Sequence, residues 1–281
     1  MSGPSSASSP ASTSPHHRPV ALVTGASAGI GLAFAELLAA RQHDLLLVAR
    51  RLDRLESAAV PLRKRGVRVE TMALDLGQPG STERLAREAL ARMGHVDVLV
   101  NNAGYGIARR FGEVSWHEHQ QFLEVLLNSP VELTHRLLPS MRLRRFGRVI
   151  NIASLAAFAP EPAGSLYTAT KRFMVSFTRS LQLELEGTGV TATAVCPGFT
   201  YSEFHDVMGN RAHMDTLPKW LWLDAATVAR IGLNAAEAGR TVVVPGAVNK
   251  AIALLCSALP TELLVRLAPR SLTDRHDRAN R

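Results

Sequence analysis

The stretch VALVTGASAGIG, Val20 to Gly31, passes from a short apolar run through a glycine-rich turn into a helical pattern continued by Phe34, Leu37 and Leu38. It reads as strand, turn, helix. Gly25, Gly29 and Gly31 let the backbone turn tightly and bring its amides close to a pyrophosphate, whose charge the positive end of the helix dipole then holds; Ser27 and Ile30 lie in the same turn. The spacing departs from G-x-G-x-x-G, and a turn that serves packing alone is the competing reading.

Outward from this unit, β-like and helical segments alternate along the chain. Strands are predicted near 20–24, 45–49, 67–72, 96–100, 147–152, 190–195 and 241–244, with helices between. This order predicts an α/β, Rossmann-like doubly wound fold: a seven-stranded parallel sheet flanked by helices on both faces. Such sheets bind ligands beyond the carboxyl ends of their strands. The glycine turn, Asp75, the NNAG segment (Asn101 to Gly104), Ser154 and Pro197-Gly198 all fall at those ends.

A chain of 281 residues, 46% hydrophobic, is long enough for one full core. We read residues 1–18, rich in Ser and Pro, as a disordered tail, 19–246 as the folded domain and 247–281 as a helical extension with a basic end. Neither a secretory signal nor a transit peptide is expected from that tail, and a cytoplasmic location follows by default. Cys196 and Cys256 are far apart and lack metal-ligand spacing, so a reduced compartment and a structural role are expected. The net charge of +8 raises a nucleic-acid reading around MRLRRFGR, Met141 to Arg148, but that run ends a helix, where arginines meet the negative dipole end. No nucleic acid is expected as a partner. His117 and His119 in WHEH point in different directions on a helix, and no metal is expected.

In the second half, Tyr167 and Lys171 lie four residues apart in SLYTATKRF, which puts phenol and ammonium on one helix face. Ser154 closes the apolar run VINIAS upstream. A unit cation about 5 Å from a phenolate at an effective dielectric near 20 is worth about 3 kcal/mol, enough to lower the phenol by about two units.

Taken together, TGASAGIG, Asp75-Leu76, NNAG, Asn128, Ser154, Tyr167 with Lys171, and Pro197-Gly198 occur in an order that resembles the classical short-chain dehydrogenase/reductase family, over residues 19–245. CPGFT (Cys196 to Thr200) and VPG (Val244 to Gly246) resemble that family's reductases. The resemblance implies catalytic roles for Ser154, Tyr167, Lys171 and Asn128, the last holding a water that connects the lysine to solvent. It also implies that Asp75 and Leu76 contact the adenine, that Asn102, Ala103 and Gly104 lie beneath the nicotinamide ribose, and that Asn101 stabilises the sheet. Pro197, Gly198 and a hydroxyl that follows would meet the carboxamide. Either Thr200 or Ser202 supplies that hydroxyl.

At the end of the second strand, where an acidic residue would accept hydrogen bonds from a ribose 2′-hydroxyl, the chain carries Arg50 and Arg51. Guanidinium groups there pair with a 2′-phosphate, so NADP(H) is expected over NAD(H). The expected reaction is hydride transfer to a carbonyl, or its reverse, with Tyr167 as general acid or base. Phe199, Tyr201, Phe204, Trp220 and Trp222, with Met208 and Met214, fall where the family places its substrate lid, about 199–222, and an apolar cover favours a hydrophobic carbonyl compound. A non-catalytic dinucleotide-binding regulator and an epimerase or dehydratase of the same family are the alternatives. The resemblance also favours a homodimer or homotetramer built on the helices around Asn128 and Tyr167. The apolar segments 247–259 and 261–267 could cap the cleft, form a dimer contact or lie on a membrane surface; packing against the body is the expectation.

Overall fold

The central strands of the sheet are apolar runs hidden on both faces, while the edge strand VETMA is half-buried. The structure, a computed structural model, describes residues 18–107, 109–159, 165–201 and 221–267. Strands β1 (Val20–Thr24), β2 (Asp44–Ala49), β3 (Val69–Ala73), β4 (Val98–Asn101), β5 (Gly147–Ile152), β6 (Val190–Val195) and β9 (Val242–Val243) form one sheet in the order β3-β2-β1-β4-β5-β6-β9. All its pairings are parallel. The seven segments expected from sequence correspond to these strands, with ends shifted by at most two residues.

Side chains alternate across β1. Ala21 and Val23 join a core that includes Phe34 and Leu38 of α1 (Gly29–Ala40), Leu55 of α2 (Leu52–Arg63) and Leu233 of α7 (Ala225–Glu237). Val20 and Leu22 join the opposite core, with Leu85 of α3 (Ser81–Met93), Leu137 of α5 (Ser129–Leu143) and Leu181 of α6 (Ser165–Glu184). Each fully buried leucine contributes about 1.5–3 kcal/mol relative to exposure, so the two layers hold the sheet from both sides.

The arginines of MRLRRFGR have structural work. Arg144 donates to the Val96 carbonyl at 2.7 Å and to Asp97 at 3.1 Å, tying the end of α5 to the entry of β4. Between α4 (Trp116–Leu123) and α5 the helix widens into a π turn, Glu124–Asn128. Pro130, which lacks an N–H, follows two residues later, and the ladder there takes one inserted residue. Past β6 a two-residue ladder pairs β7 (Thr200–Tyr201) with β8 (Leu223–Asp224), a feature not foreseen from sequence. After β9 come α8 (Ala247–Ala258) and α9 (Thr261–Leu267). Among the described residues, no helix is long and apolar enough to cross a membrane.

Candidate active site

The strand order reverses between β1 and β4, and beyond their carboxyl ends lies a cavity of about 520 Å³. Its floor begins at the glycine turn. Gly25 has φ +65°, and a Cβ there would lie 2.7 Å from the Asn102 amide nitrogen. The turn therefore presents bare backbone to the cavity. Helix α1 starts from Ala28, whose side chain cannot cap it, and its first turn holds no acidic residue. Ser27, Ala28, Gly29 and Ile30 line the cavity at that uncapped positive end, an arrangement that fits a pyrophosphate.

Gly31 departs from expectation. It is buried rather than lining the cavity, and a Cβ on it would lie 2.3 Å from the Gly25 carbonyl oxygen. Its absent side chain allows α1 to pack on the turn. Asn102 staples the same turn, its amide donating to the carbonyls of Thr24 (3.0 Å) and Gly25 (3.2 Å). Thr24 Oγ1 in turn accepts from the N–H groups of Asn102 (3.0 Å) and Ala103 (3.1 Å).

Arg50 and Arg51 stand at one end of the cavity, both exposed, with Asp75, Leu76, Ala103 and Gly104 along its wall. Asp75 accepts the Gly77 N–H at 2.9 Å, so its carboxylate also shapes the turn after β3. Burial pushes the Tyr105 phenol up, and the nearby Arg50 charge pulls against that shift.

Ser154, Tyr167 and Lys171 line the cavity together at the ends of β5 and along α6, the opposite side of the sheet order from the arginines. Ser154 Oγ accepts the Ala156 N–H at 3.1 Å, which leaves its hydroxyl proton to donate. The Lys171 ammonium donates to the Ile152 carbonyl at 2.8 Å and lies 5.6 Å from the Tyr167 ring centroid. Burial lowers its pKa to about 8. Cys196, directly after β6, is buried, and burial pushes its thiol up to about 12, so it is no thiolate nucleophile.

Asn128 is not part of this assembly. It is exposed, and its amide donates to Glu124 at 2.7 Å, one turn back on the π segment. The inserted residue changes the phase of the helix, so the side chain that turns inward behind the lysine is Leu126. Asn128 cannot hold a water for Lys171 from there.

Pro197, Gly198, Phe199 and Thr200 close the cavity, and Thr200 Oγ1 donates to the Gly198 carbonyl at 3.0 Å. Ser202, with Phe204, Met208, Met214 and Trp220, lies outside the described residues. Tyr201 stacks on Trp222 with ring centroids 4.7 Å apart, so these two aromatics pack on each other across β7 and β8. Sequence reasoning missed Tyr105, Gln121 and Ile252 as lining residues. Ile252 sits on α8, which docks where buried Asn249 packs on Gly198; a Cβ on that glycine would lie 2.6 Å from the Asn249 side chain. Only the apolar character of 247–259 pointed toward it.

A doubly wound sheet with a bare glycine turn, an uncapped helix start and a Ser-Tyr-Lys cluster in one cleft defines a dinucleotide-dependent oxidoreductase. The short chain dehydrogenase family model matches residues 19–211, and the chain belongs to that family. It is 40% identical over 185 residues to the monensin polyketide synthase putative ketoacyl reductase of Streptomyces virginiae, covering 64% of this chain and 70% of that protein. Its fold matches a short-chain dehydrogenase from Sphingobium yanoikuyae in complex with NADPH, with TM-score 0.75 and 30% identity, over 86% of this chain and 96% of that one. A short chain dehydrogenase/reductase from Burkholderia phymatum in complex with NAD also matches with TM-score 0.75, at 25% identity, over 85% of this chain and 92% of that one. The protein is accordingly an oxidoreductase that uses a nicotinamide dinucleotide.

Proposed function

We propose that this protein is an NADPH-dependent reductase of a hydrophobic carbonyl compound, an acyl-chain ketone foremost, with Tyr167 as the general acid and the alcohol oxidation as its reverse. The observation that carries the reading is a single cavity bordered at one end by Arg50 and Arg51 and at the other by Ser154, Tyr167 and Lys171. The cofactor, when bound, supplies the hydride. Arg50 and Arg51 would hold a 2′-phosphate through charge-assisted hydrogen bonds, which a bare hydroxyl cannot return. The start of α1 and the amides of the glycine turn would hold the pyrophosphate.

At the reacting end, Ser154 donates its free hydroxyl proton to the carbonyl oxygen and fixes its position. Tyr167 gives its proton to that oxygen as negative charge develops there. Lys171 keeps the phenol acidic through its charge. Phe199, Leu155, Ala156 and Ile252 give the rest of the pocket an apolar lining that excludes water and favours an aliphatic or ring ketone over a sugar. The likeness to a putative ketoacyl reductase of a polyketide synthase supports the same class. Exposed Leu143 on α5, and Phe173 and Leu183 on α6, support self-association through those helices.

Oxidation of NADPH followed by absorbance, with a panel of hydrophobic ketones and β-ketoacyl thioesters, tests the proposal. Turnover with at least one ketone is expected, lost in Tyr167→Phe while NADPH still binds. NADPH binding without turnover on any carbonyl would make the protein a regulator, and full activity in Tyr167→Phe would remove the phenol from its role.

A further inference from the structure

Helix α8 carries no acidic residue, and apart from Asn249, Lys250 and Ser257 its side chains are apolar. A helix with so little polar surface belongs in a covered setting, yet only Asn249 and Ala253 are buried. These two lie four positions apart and form one narrow inward seam, with Asn249 donating to the Pro245 carbonyl at 2.9 Å. Only that seam packs against the body. The far side of the helix stands open, with Leu254 72% and Leu255 61% exposed. Helix α9, joined to α8 through Leu259 and Pro260, adds exposed Leu263 and Val265.

One edge of this surface leads into the cleft. Val248, Ile252 and Leu255 recur at i, i+4 and i+7, a single stripe along α8. Ile252 lines the large cavity and is at the same time 36% exposed. The apolar face and the cleft therefore share a side chain.

Charge around the face is mostly of one sign. Lys250 on α8 and Arg266 on α9 are exposed, and Glu262 is the one acidic residue between 247 and 267. In the sequence Arg270, Arg275, Arg278 and Arg281 follow, against Asp274 and Asp277, on a chain of net charge +8. An apolar face rimmed by cations complements a bilayer with anionic headgroups: leucines enter the acyl boundary while long basic side chains reach the phosphates. A second copy of the chain fits less well, because a two-fold pairing sets the same cationic rim against itself. Exposed Leu143, Phe173 and Leu183 on α5 and α6 also offer a separate face for self-association.

We propose that α8 and α9 dock on an anionic bilayer through Leu254, Leu255, Leu263 and Val265, with Lys250 and Arg266 on headgroup phosphates, so that the cleft opens beside the lipid at Ile252. The contact is peripheral, since the 12 residues of α8 are too few to span a bilayer. An apolar ketone dissolved in the lipid then reaches the pocket along the Val248-Ile252-Leu255 stripe without crossing water.

Docking is independent of the chemistry; delivery of a ketone rests on the reductase reading. Co-sedimentation of the full chain, free of cofactor, with vesicles of phosphatidylcholine and phosphatidylglycerol in equal parts tests the docking. Binding is expected, about tenfold tighter than to phosphatidylcholine alone and weakened by salt. In the double variant Leu254→Glu, Leu255→Glu the partition constant should fall about tenfold or more, because carboxylates that the headgroups repel replace two apolar anchors. Neither residue lines the cavity, so NADPH affinity and turnover of a water-soluble ketone should stay within about twofold. With a long-chain ketone carried in the vesicles, KM should rise about tenfold in that variant at unchanged kcat; an unchanged KM refutes entry from the lipid side. A full chain that stays in the supernatant with both kinds of vesicle overturns the docking, as does a double variant that sediments like the parent. A parent dimer that becomes monomeric in the double variant, with no vesicle binding, assigns the face to a second copy and also overturns it. If the protein binds vesicles but not NADPH, the proposed function falls and the docking stands.

Discussion

The Lys171 ammonium sits 5.6 Å from the centre of the Tyr167 ring on the same face of α6, with its head bonded to the end of β5 and shut away from water. Four residues of helix bring the pair together, and the sheet edge supplies the low-dielectric seat. The cost of that seat is measurable. Burial takes the lysine from 10.5 to about 8, so between those values the unfolded chain holds a proton that the folded chain has released. Stability from this group therefore rises with pH from about 8 to 10.5, and below 8 the full penalty applies. Lys171→Met is expected to raise the unfolding midpoint of the cofactor-free protein at pH 7 and to lose that advantage as the pH approaches 10. Thermal melts across that range check it, and an advantage that grows with pH would contradict the buried charge.

Arg50 and Arg51 bear on cofactor choice. With both replaced by alanine, the dissociation constant for NADPH should rise about tenfold or more, as the loss of charge-assisted hydrogen bonds to a phosphate predicts, while that for NADH changes by less than about threefold. Fluorescence titration with both cofactors measures the ratio; equal losses would assign the arginines to the solvated start of α2.

Asn128 gives a sharp contrast with the resemblance that nominated it. Its amide serves an exposed contact with Glu124, worth a few tenths of a kcal/mol. Asn128→Ala should leave kcat and KM within about twofold of the parent under steady-state assay. A loss of a hundredfold would place a water relay on this side of the helix after all.

Gly31 should tolerate no side chain. The Cβ of Gly31→Ala would lie 2.3 Å from the Gly25 carbonyl, so α1 and the glycine turn must separate, at a cost of about 1–3 kcal/mol and with loss of dinucleotide affinity. At Gly66, where nothing lies within 4 Å but φ is +77°, alanine meets backbone strain alone, of order 1 kcal/mol, and binding should persist. Denaturant melts and NADPH titration of the two variants separate the effects.

Much of the architecture was legible in the chain. Apolar runs such as VALVT and VINIA could be hidden on two faces only as central parallel strands, and glycines at the first turn left room for a ligand and for little else. Tyr167 and Lys171 were legible because helix geometry brings side chains four apart onto one face regardless of what surrounds them. Arg50 and Arg51 could be placed at the cleft because strand ends in such a sheet share one edge.

What the local pattern could not hold was rotation and distance. Asn128 was nominated by resemblance alone, and its residue type says nothing of rotation; the π turn inserts a residue, and the inward position belongs to Leu126. Gly31 counted as a ligand contact until the packing of α1 placed it against the Gly25 carbonyl. Ile252 reaches the cavity only because α8 docks on Gly198 through Asn249, and that docking leaves Leu254 and Leu255 facing outward. Periodicity and turn chemistry act over a few residues and so determine the elements and their order. Which face meets which, and which is left uncovered, depends on close packing among segments far apart in the chain, and only the assembled structure decides it.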